Sequence, residues 1–326
     1  MLKVAIIGCG LIGNKRANAL KGVADLSFCY DVNQELSLSF AKKHGVISVN
    51  SPDSIFEDTS VQAVVIATRH DALSALAEKA LKTGKHVFIE KPGARTAKDL
   101  MPIVDFKRLE GQRIHVGYNH RYHHGIRKAL DIVKSGGIGE ILFLRARYGH
   151  GGRIGYNKEW RADKEISGGG ELIDQGSHLL DLSLAFLGNL SLEYAATPTY
   201  YWNMPVEDNV FIVVKNDTGA IGFLQASCTE WKNTFSFEIY GKQGKLEISG
   251  LGGSYGVEKL THYKMLPEMG PPETITWEFP MPDDSWAIEV QEFIGDIERD
   301  TATSENLDSA MKVMTLIGEI YASSGR

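Results

Sequence analysis

Short apolar runs alternate with amphipathic stretches along the first 120 residues. The runs at 2–7, 26–30, 61–67, 86–90 and 113–117 read as strands, and 12–20, 33–44, 70–83 and 96–110 read as helices. Thr83-Gly84-Lys85 closes one of those helices with glycine, as helix ends often do. Alternation of this kind builds a parallel sheet with helices on both faces, and its ligand crevice lies at the carboxyl ends of the strands.

After Tyr118 the pattern changes. A helix at 123–135 ends in Ser135-Gly136-Gly137, a strand follows at 141–148, and a second helix spans 171–186. Strands are then expected near 191–200, 208–216, 219–229, 234–240, 244–249 and 274–279, with hairpin signals at Lys215–Gly219 and Gly241–Gly244. Helices at 285–299 and 306–323 close the chain. The prediction is an α/β domain over 1–120, then an α+β domain over 121–326 with a large, mostly antiparallel open sheet. The C-terminal helix is expected to pack back on the first domain. An open sheet face usually meets a partner, so a homodimer or homotetramer is expected.

Bulk properties narrow the partners. The chain has 326 residues, 35 Lys plus Arg against 41 Asp plus Glu, and a formal charge of −6 without a basic block, which argues against nucleic acid. No apolar run is long enough to span a bilayer, so no membrane partner is expected, and the apolar N-terminal stretch is too short for a signal-peptide core. Three cysteines, Cys9, Cys29 and Cys228, show no metal or redox spacing and suit a reducing cytoplasm. Cys9 and Cys29 read as packing residues.

The first chemistry lies in KVAIIGCGLIGNKRANALKGVADLSFCYD. Gly8, Gly10 and Gly13 follow a strand and open a helix, and Asp31 ends the next strand 18 residues after Gly13. That context makes a GxGxxG, weak alone, into the dinucleotide-binding fingerprint of a Rossmann domain. Gly8 permits the tight turn, Gly10 admits the pyrophosphate, and Gly13 lets helix and strand pack. Leu11 and Ile12 lie between them, where free helix N–H groups meet phosphate. Asp31 accepts hydrogen bonds from ribose hydroxyls and repels a 2′-phosphate. Like charges about 4 Å apart cost about 1–4 kcal/mol, so NAD is expected over NADP by roughly 5- to 1000-fold. Lys15 and Arg16 read as a solvated helix face, the alternative being that they reach a phosphate.

Two further segments carry candidate chemistry. Glu90-Lys91-Pro92 ends the fifth strand, beside the nicotinamide half of such a crevice; a Lys-Pro pair is otherwise a common surface turn. In GGGELIDQGSHLLD, Asp174, His178 and Asp181 fall at i, i+4 and i+7 on one helix face after a flexible triple-glycine entry. An acid and a histidine there suit proton transfer, or else a capped, partly buried histidine held by a carboxylate. No third metal ligand is apparent, and His115, His120, His123 and His124 read mostly as surface or packing residues.

GCGLIG, EKP, VGYNHRYHHGIRKALDIVKSGGIGEI and GGGELIDQGSHLLDL, in this order and at these separations, resemble the Gfo/Idh/MocA oxidoreductases over essentially the whole chain. That family includes glucose–fructose oxidoreductase, inositol dehydrogenases and nucleotide-sugar dehydrogenases. The resemblance implies a Rossmann domain, a C-terminal domain with an open sheet, and dimers or tetramers built through that sheet. It implies that Lys91 is the active-site lysine, that Asp174 binds substrate, and that His178 is the acid/base. Thr68, Glu90, Lys91 and Asn119 fall on the cofactor side, and Arg121, Trp160 and Arg161 on the substrate side. Where relatives often read ATPxxxH, this chain has Ala67-Thr68-Arg69-His70-Asp71-Ala72-Leu73. Arg69 then meets either an anionic substrate group or a surface acid.

The implied activity is reversible, NAD-dependent hydride transfer at a secondary alcohol of a small sugar or polyol, with no metal. Two alternatives share the fold: a redox-neutral glycosidase that keeps its NAD, and a non-catalytic NAD-binding regulator. Reduction of a ketone uses the same site in reverse.

Overall fold

A computed structural model describes all of residues 1–326. The chain divides into two compact units, Met1–Tyr118 with Trp286–Met311, and Asn119–Ser285 with Lys312–Arg326. The segment 286–311, assigned from sequence to the second domain, belongs to the first unit.

The first unit is built on six strands, β1 (Lys3–Ile7), β2 (Asp25–Tyr30), β3 (Ile47–Ser48), β4 (Ala63–Ile66), β5 (His86–Glu90) and β6 (Ile114–Gly117). They are all parallel, in the order β3-β2-β1-β4-β5-β6. Helices α1 (Leu11–Ala19), α2 (Gln34–His44), α3 (Asp53–Glu57), α4 (His70–Lys82) and α5 (Ala97–Val104) connect them. The inner strands are buried on both faces, so β4 reads as a continuous apolar run, Ala-Val-Val-Ile. Strand order reverses between β1 and β4, the switch point at which open α/β sheets bind ligands. Val4, Ile6, Cys9, Cys29, Phe40, Val65 and Phe88 form one core with Phe293 and Ile294 of α9 (Ser285–Arg299).

The predicted helix 96–110 stops at Val104. Beyond it, buried Gln112 accepts from the Leu109 amide and donates to the Leu81 and Lys85 carbonyls, so the segment becomes a loop clamped to the end of α4. Strand β3, of two residues, and α3, of five, were not expected; neither is long enough to show periodicity.

The second unit is an eight-stranded sheet. Its strands are β7 (Ile141–Gly149), β8 (Leu190–Ala196), β9 (Asn209–Asn216), β10 (Ile221–Ser227), β11 (Thr234–Gly241), β12 (Gly244–Ser249), β13 (Glu258–Lys264) and β14 (Glu273–Phe279). Their order is β14-β13-β12-β11-β7-β10-β9-β8, and only β7 with β10 is parallel. Helices α6 (His124–Lys134) and α8 (Ser177–Leu187) pack on one face, and the short α7 (Lys164–Ser167) lies in the connection from β7 towards α8. α10 (Leu307–Ser323) ends the chain. The opposite face carries Tyr194, Phe211 and Phe223, the last 51% exposed, beside the stacked Phe143–Tyr240 pair. Strand β13 was missed because polar residues occupy core positions: Glu258, Leu260 and His262 point inward. Glu258 is answered by His123 at 3.0 Å and by the Gly125 amide.

Candidate active site

In the first unit the glycine loop is shaped as its sequence requires. Gly8 has φ +100°, and a Cβ there would stand 2.4 Å from the Ala67 carbonyl oxygen. A Cβ on Gly13 would lie 1.9 Å from the Gly8 oxygen, so any side chain pushes α1 off β1. Gly10 faces open space, with nothing within 4 Å of its would-be Cβ. It is the N-cap of α1 with no side-chain cap, which leaves the first helical amides, at Leu11 and Ile12, directed outward. Asp31 accepts from the Cys9 amide at 2.8 Å and the Asn33 amide at 2.8 Å, so its carboxylate is tied to the loop itself. An open, uncapped helix start beside a fixed carboxylate fits the diphosphate and ribose of a dinucleotide. Thr68 donates to the Arg69 carbonyl, and Arg69 pairs with Asp71 at 3.0 Å in solvent, the surface-acid alternative.

Arg16 corrects the sequence reading. It is not on a solvated face; it is 0% exposed. Its Nε donates to Glu90 at 2.5 Å and its Nη1 lies 2.7 Å from Glu289 of α9. The guanidinium sits between the rings of Phe88 and Trp286, at 4.3 and 4.4 Å. Burial works against its charge, but Glu90 and Glu289 outweigh that and hold its pKa above the ordinary value. Burial raises the Glu90 pKa, against the pull of Arg16. The Glu90 carboxylate, expected at the cofactor, is thus engaged by Arg16. Lys91 follows it, partly exposed, at a cis peptide to Pro92. His115, also read as surface or packing, is buried between Glu289 at 3.0 Å and the Ser304 carbonyl at 2.7 Å.

In the second unit the expected single helix 171–186 is a π turn, Leu172–Gly176, running into α8. Such turns often occur at functional sites. Asp174 lies in the π turn and His178 in the first turn of α8. Asp174 accepts from Arg161 Nε at 3.1 Å, and Arg161 packs over Trp160 at 4.5 Å. Burial opposes the Arg161 charge, but Asp174 answers it and the net pKa is raised. His178 stacks on His120, centroids 3.7 Å apart, with Tyr148 edge-on to both. Asp181, fully buried, takes a bidentate pair from Arg121 at 2.7 and 2.6 Å. Arg121 therefore braces α8. Asn119 donates to Ser285 at 2.9 Å. Asp174 and His178 are thereby brought to one element, with Trp160 and Arg161 beside Asp174.

The triple-glycine entry was expected to be flexible; it is packed. A Cβ on Gly169 would stand 1.8 Å from the Tyr321 hydroxyl, and one on Gly170 2.0 Å from the Glu207 carbonyl. Glu207 Oε1 accepts from the Gly170 and Leu172 amides at 3.0 Å each and from the Tyr321 hydroxyl at 2.7 Å. That carboxylate fixes where the π turn begins.

Sequence reasoning missed Glu171, Tyr156, His150 and Glu207. Tyr156 donates to Glu171 Oε1 at 2.6 Å. Burial, and then Asp174 nearby, push the Glu171 carboxyl up to about 8. Its signal was in view as the acid inside GGGELID; that of Glu207 was the acidic pair before β9. No group of three or more His, Cys, Asp or Glu is placed to hold a metal, and no helix is long and apolar enough to cross a membrane.

Residues 2–118 match an oxidoreductase family with an NAD-binding Rossmann fold, and 126–247 match the GFO/IDH/MocA C-terminal domain. Levoglucosan dehydrogenase of Pseudarthrobacter phenanthrenivorans is 26% identical over 285 residues, 75% of this chain and 73% of that protein. Inositol 2-dehydrogenase of Salmonella typhimurium is 30% identical over 154 residues, 45% of this chain and 46% of its own. Among solved structures, a levoglucosan dehydrogenase in complex with NADH shares the fold, with a TM-score of 0.89 at 23% identity over 99% of this chain and 97% of the other.

Proposed function

The chain belongs to the Gfo/Idh/MocA family of NAD-binding oxidoreductases, and on that premise we propose that it transfers hydride between NAD and a secondary alcohol or ketone of a sugar, sugar acid, nucleotide sugar or inositol. The observation that carries this reading is one continuous element, π turn then α8, presenting an Arg161-bound carboxylate and a histidine four residues later. Hydride transfer at an alcohol needs a group to move its proton and a group to hold the neighbouring hydroxyl.

When bound, NAD supplies the hydride acceptor, and NADH the donor. The protein supplies the rest. Leu11 and Ile12 amides meet the diphosphate, and Asp31 accepts from the ribose hydroxyls and disfavours a 2′-phosphate. His178 removes the hydroxyl proton of the substrate as it is oxidised, and returns it in reduction. Lys91 hydrogen-bonds the same oxygen and offsets its developing negative charge. Asp174 accepts from an adjacent hydroxyl, its carboxylate aimed by Arg161. The open face of the second sheet, with Phe211 and Phe223, pairs with a second copy in a homodimer or homotetramer. Three buried, unpaired cysteines suit the cytoplasm.

The test is a cofactor-reduction screen. Purified protein is mixed with NAD⁺ and, separately, inositols, free hexoses, uronic acids and nucleotide sugars, and NADH is followed. Turnover with one class establishes reaction and substrate together. Silence across the panel, and with the corresponding ketones and NADH, overturns the reading; NAD retained without net consumption while a glycoside is cleaved supports the redox-neutral glycosidase instead.

A further inference from the structure

Around Asp174 the second unit gathers more acids than cations. Arg153 pairs with Glu159 at 2.6 Å, and Arg161 with Asp174 at 3.1 Å. Glu171, three residues before Asp174 and 1% exposed, has no such partner. Its Oε1 takes the Tyr156 hydroxyl at 2.6 Å, and beyond that the carboxyl meets only the weak Cys228 thiol donor, with no charged group on its buried Oε2. The nearest base is His150, whose Nε2 lies 3.9 Å away. His150 does not supply a charge: the Gly152 amide donates to its Nδ1 at 2.8 Å, which places its single proton on Nε2, and burial pushes its pKa down. The other titratable neighbours supply no cation, and the hydrogen bonds that the Tyr156 hydroxyl and the Cys228 thiol offer the ionised carboxylate are outweighed by burial and by Asp174. The Cys228 thiol is pushed up by burial, and so are the phenols of Tyr156, Tyr148 and Tyr255, while Glu207 is occupied by its three donors. An ionised carboxylate buried without a cation costs several kcal/mol, roughly, and such a group protonates instead.

We propose that Glu171 is a positioning residue for Asp174: seated against Tyr156 with neither a cation nor backbone amides to hold its charge, it stays a neutral carboxylic acid, leaves Arg161 to Asp174, and on ionising loosens the hold of Asp174 on a substrate hydroxyl. This rests on the reading of Asp174 as the substrate-holding carboxylate. The elevated pKa of Glu171, about 8, places the change on the alkaline side of neutrality.

The experiment has two arms, using the full chain as wild type, Glu171→Gln and Tyr156→Phe. The first needs no substrate: thermal unfolding followed from pH 5 to 9. The unfolded Glu171 carboxyl ionises near the ordinary glutamate value of 4.5 and the folded one near 8, so wild type loses stability relative to Glu171→Gln as pH rises through that window. The Tm difference is expected to widen up to about pH 8 and then level. A difference that does not change with pH overturns the assignment of a neutral Glu171. The second arm uses whichever sugar alcohol the NAD⁺ screen identifies. For wild type, kcat/KM is expected to fall about tenfold between pH 7 and 9, while the Glu171→Gln profile lacks that limb. In Tyr156→Phe, which removes a bond to the ionised form, the limb moves to higher pH. An alkaline limb identical in all three overturns the positioning role. A screen without turnover counts against the proposed function and leaves the stability arm able to decide the state of Glu171.

Discussion

Replacing Arg16 by Met tests how the first unit holds its nucleotide-binding end together. The thioether side chain still fills the slot between Phe88 and Trp286 but removes the guanidinium that answers Glu90 at 2.5 Å and Glu289 at 2.7 Å. Both carboxylates stay buried, with His115 against Glu289 as the remaining base. Removing one partner from a buried ion pair costs about 3–5 kcal/mol, because the charge left behind is neither solvated nor paired. For a unit of this size that lowers Tm by roughly 6–20 °C. The dependence on pH has a definite sign. Glu90 already has its pKa raised by burial, and loses the cation that opposed the shift. Its folded pKa then lies further above the unfolded one, so the contribution to stability is fully present below the unfolded value and is lost as pH rises through the folded value. The deficit of the variant is therefore smaller at pH 5 than at pH 8. Chemical denaturation at both pH values, followed by circular dichroism, measures it. Adding Glu90→Gln and Glu289→Gln to the variant restores most of the loss, since the orphaned charges are gone. A loss under about 1 kcal/mol, or a deficit equal at the two pH values, refutes the argument.

Three other outcomes are expected. Asp31→Ser narrows the ratio of NADP to NAD dissociation constants, measured by titration, because the charge that repels a 2′-phosphate is removed; a ratio unchanged within error counts against that role. His178→Ala lowers kcat by about 10²–10⁴ while NAD still binds, and an unchanged kcat removes His178 from the proton transfer. Phe223→Glu, on the exposed sheet face, reduces the oligomer seen by light scattering to a smaller species, whereas a wild-type protein that is already monomeric refutes an interface there.

Much of the first unit could be read from residues near one another in the chain. The turn at Gly8, the packing at Gly13 and the acid at the end of β2 each follow from backbone sterics or short spacing. The apolar runs of β1, β4 and β5 are unbroken because both faces of a parallel sheet are covered. The antiparallel half was nearly as open to reading, except at β13, where Glu258 and His262 occupy inward positions and hide the alternation. The candidate site divided in the same way. The motif GGGELIDQGSHLLD marked Asp174 and His178, but it suggested a flexible entry and a uniform helix. The structure has a packed entry and a π turn.

The amino-acid order alone specified the two architectures and the nucleotide-binding loop, and it singled out Asp174 and His178 as candidates for the chemistry, since local propensity and spacing carry that information. The environment of each charge came only with the folded chain. Arg16 meets Glu90 from 74 residues away, Tyr321 meets Glu207 from 114, and His123 meets Glu258 from 135. At such separations nothing in the spacing says whether an arginine beside a glycine loop faces solvent or two carboxylates. Burial decides it, because in a low-dielectric interior a charge persists where a partner has been brought to it, and where none arrives, as at Glu171, the proton stays on.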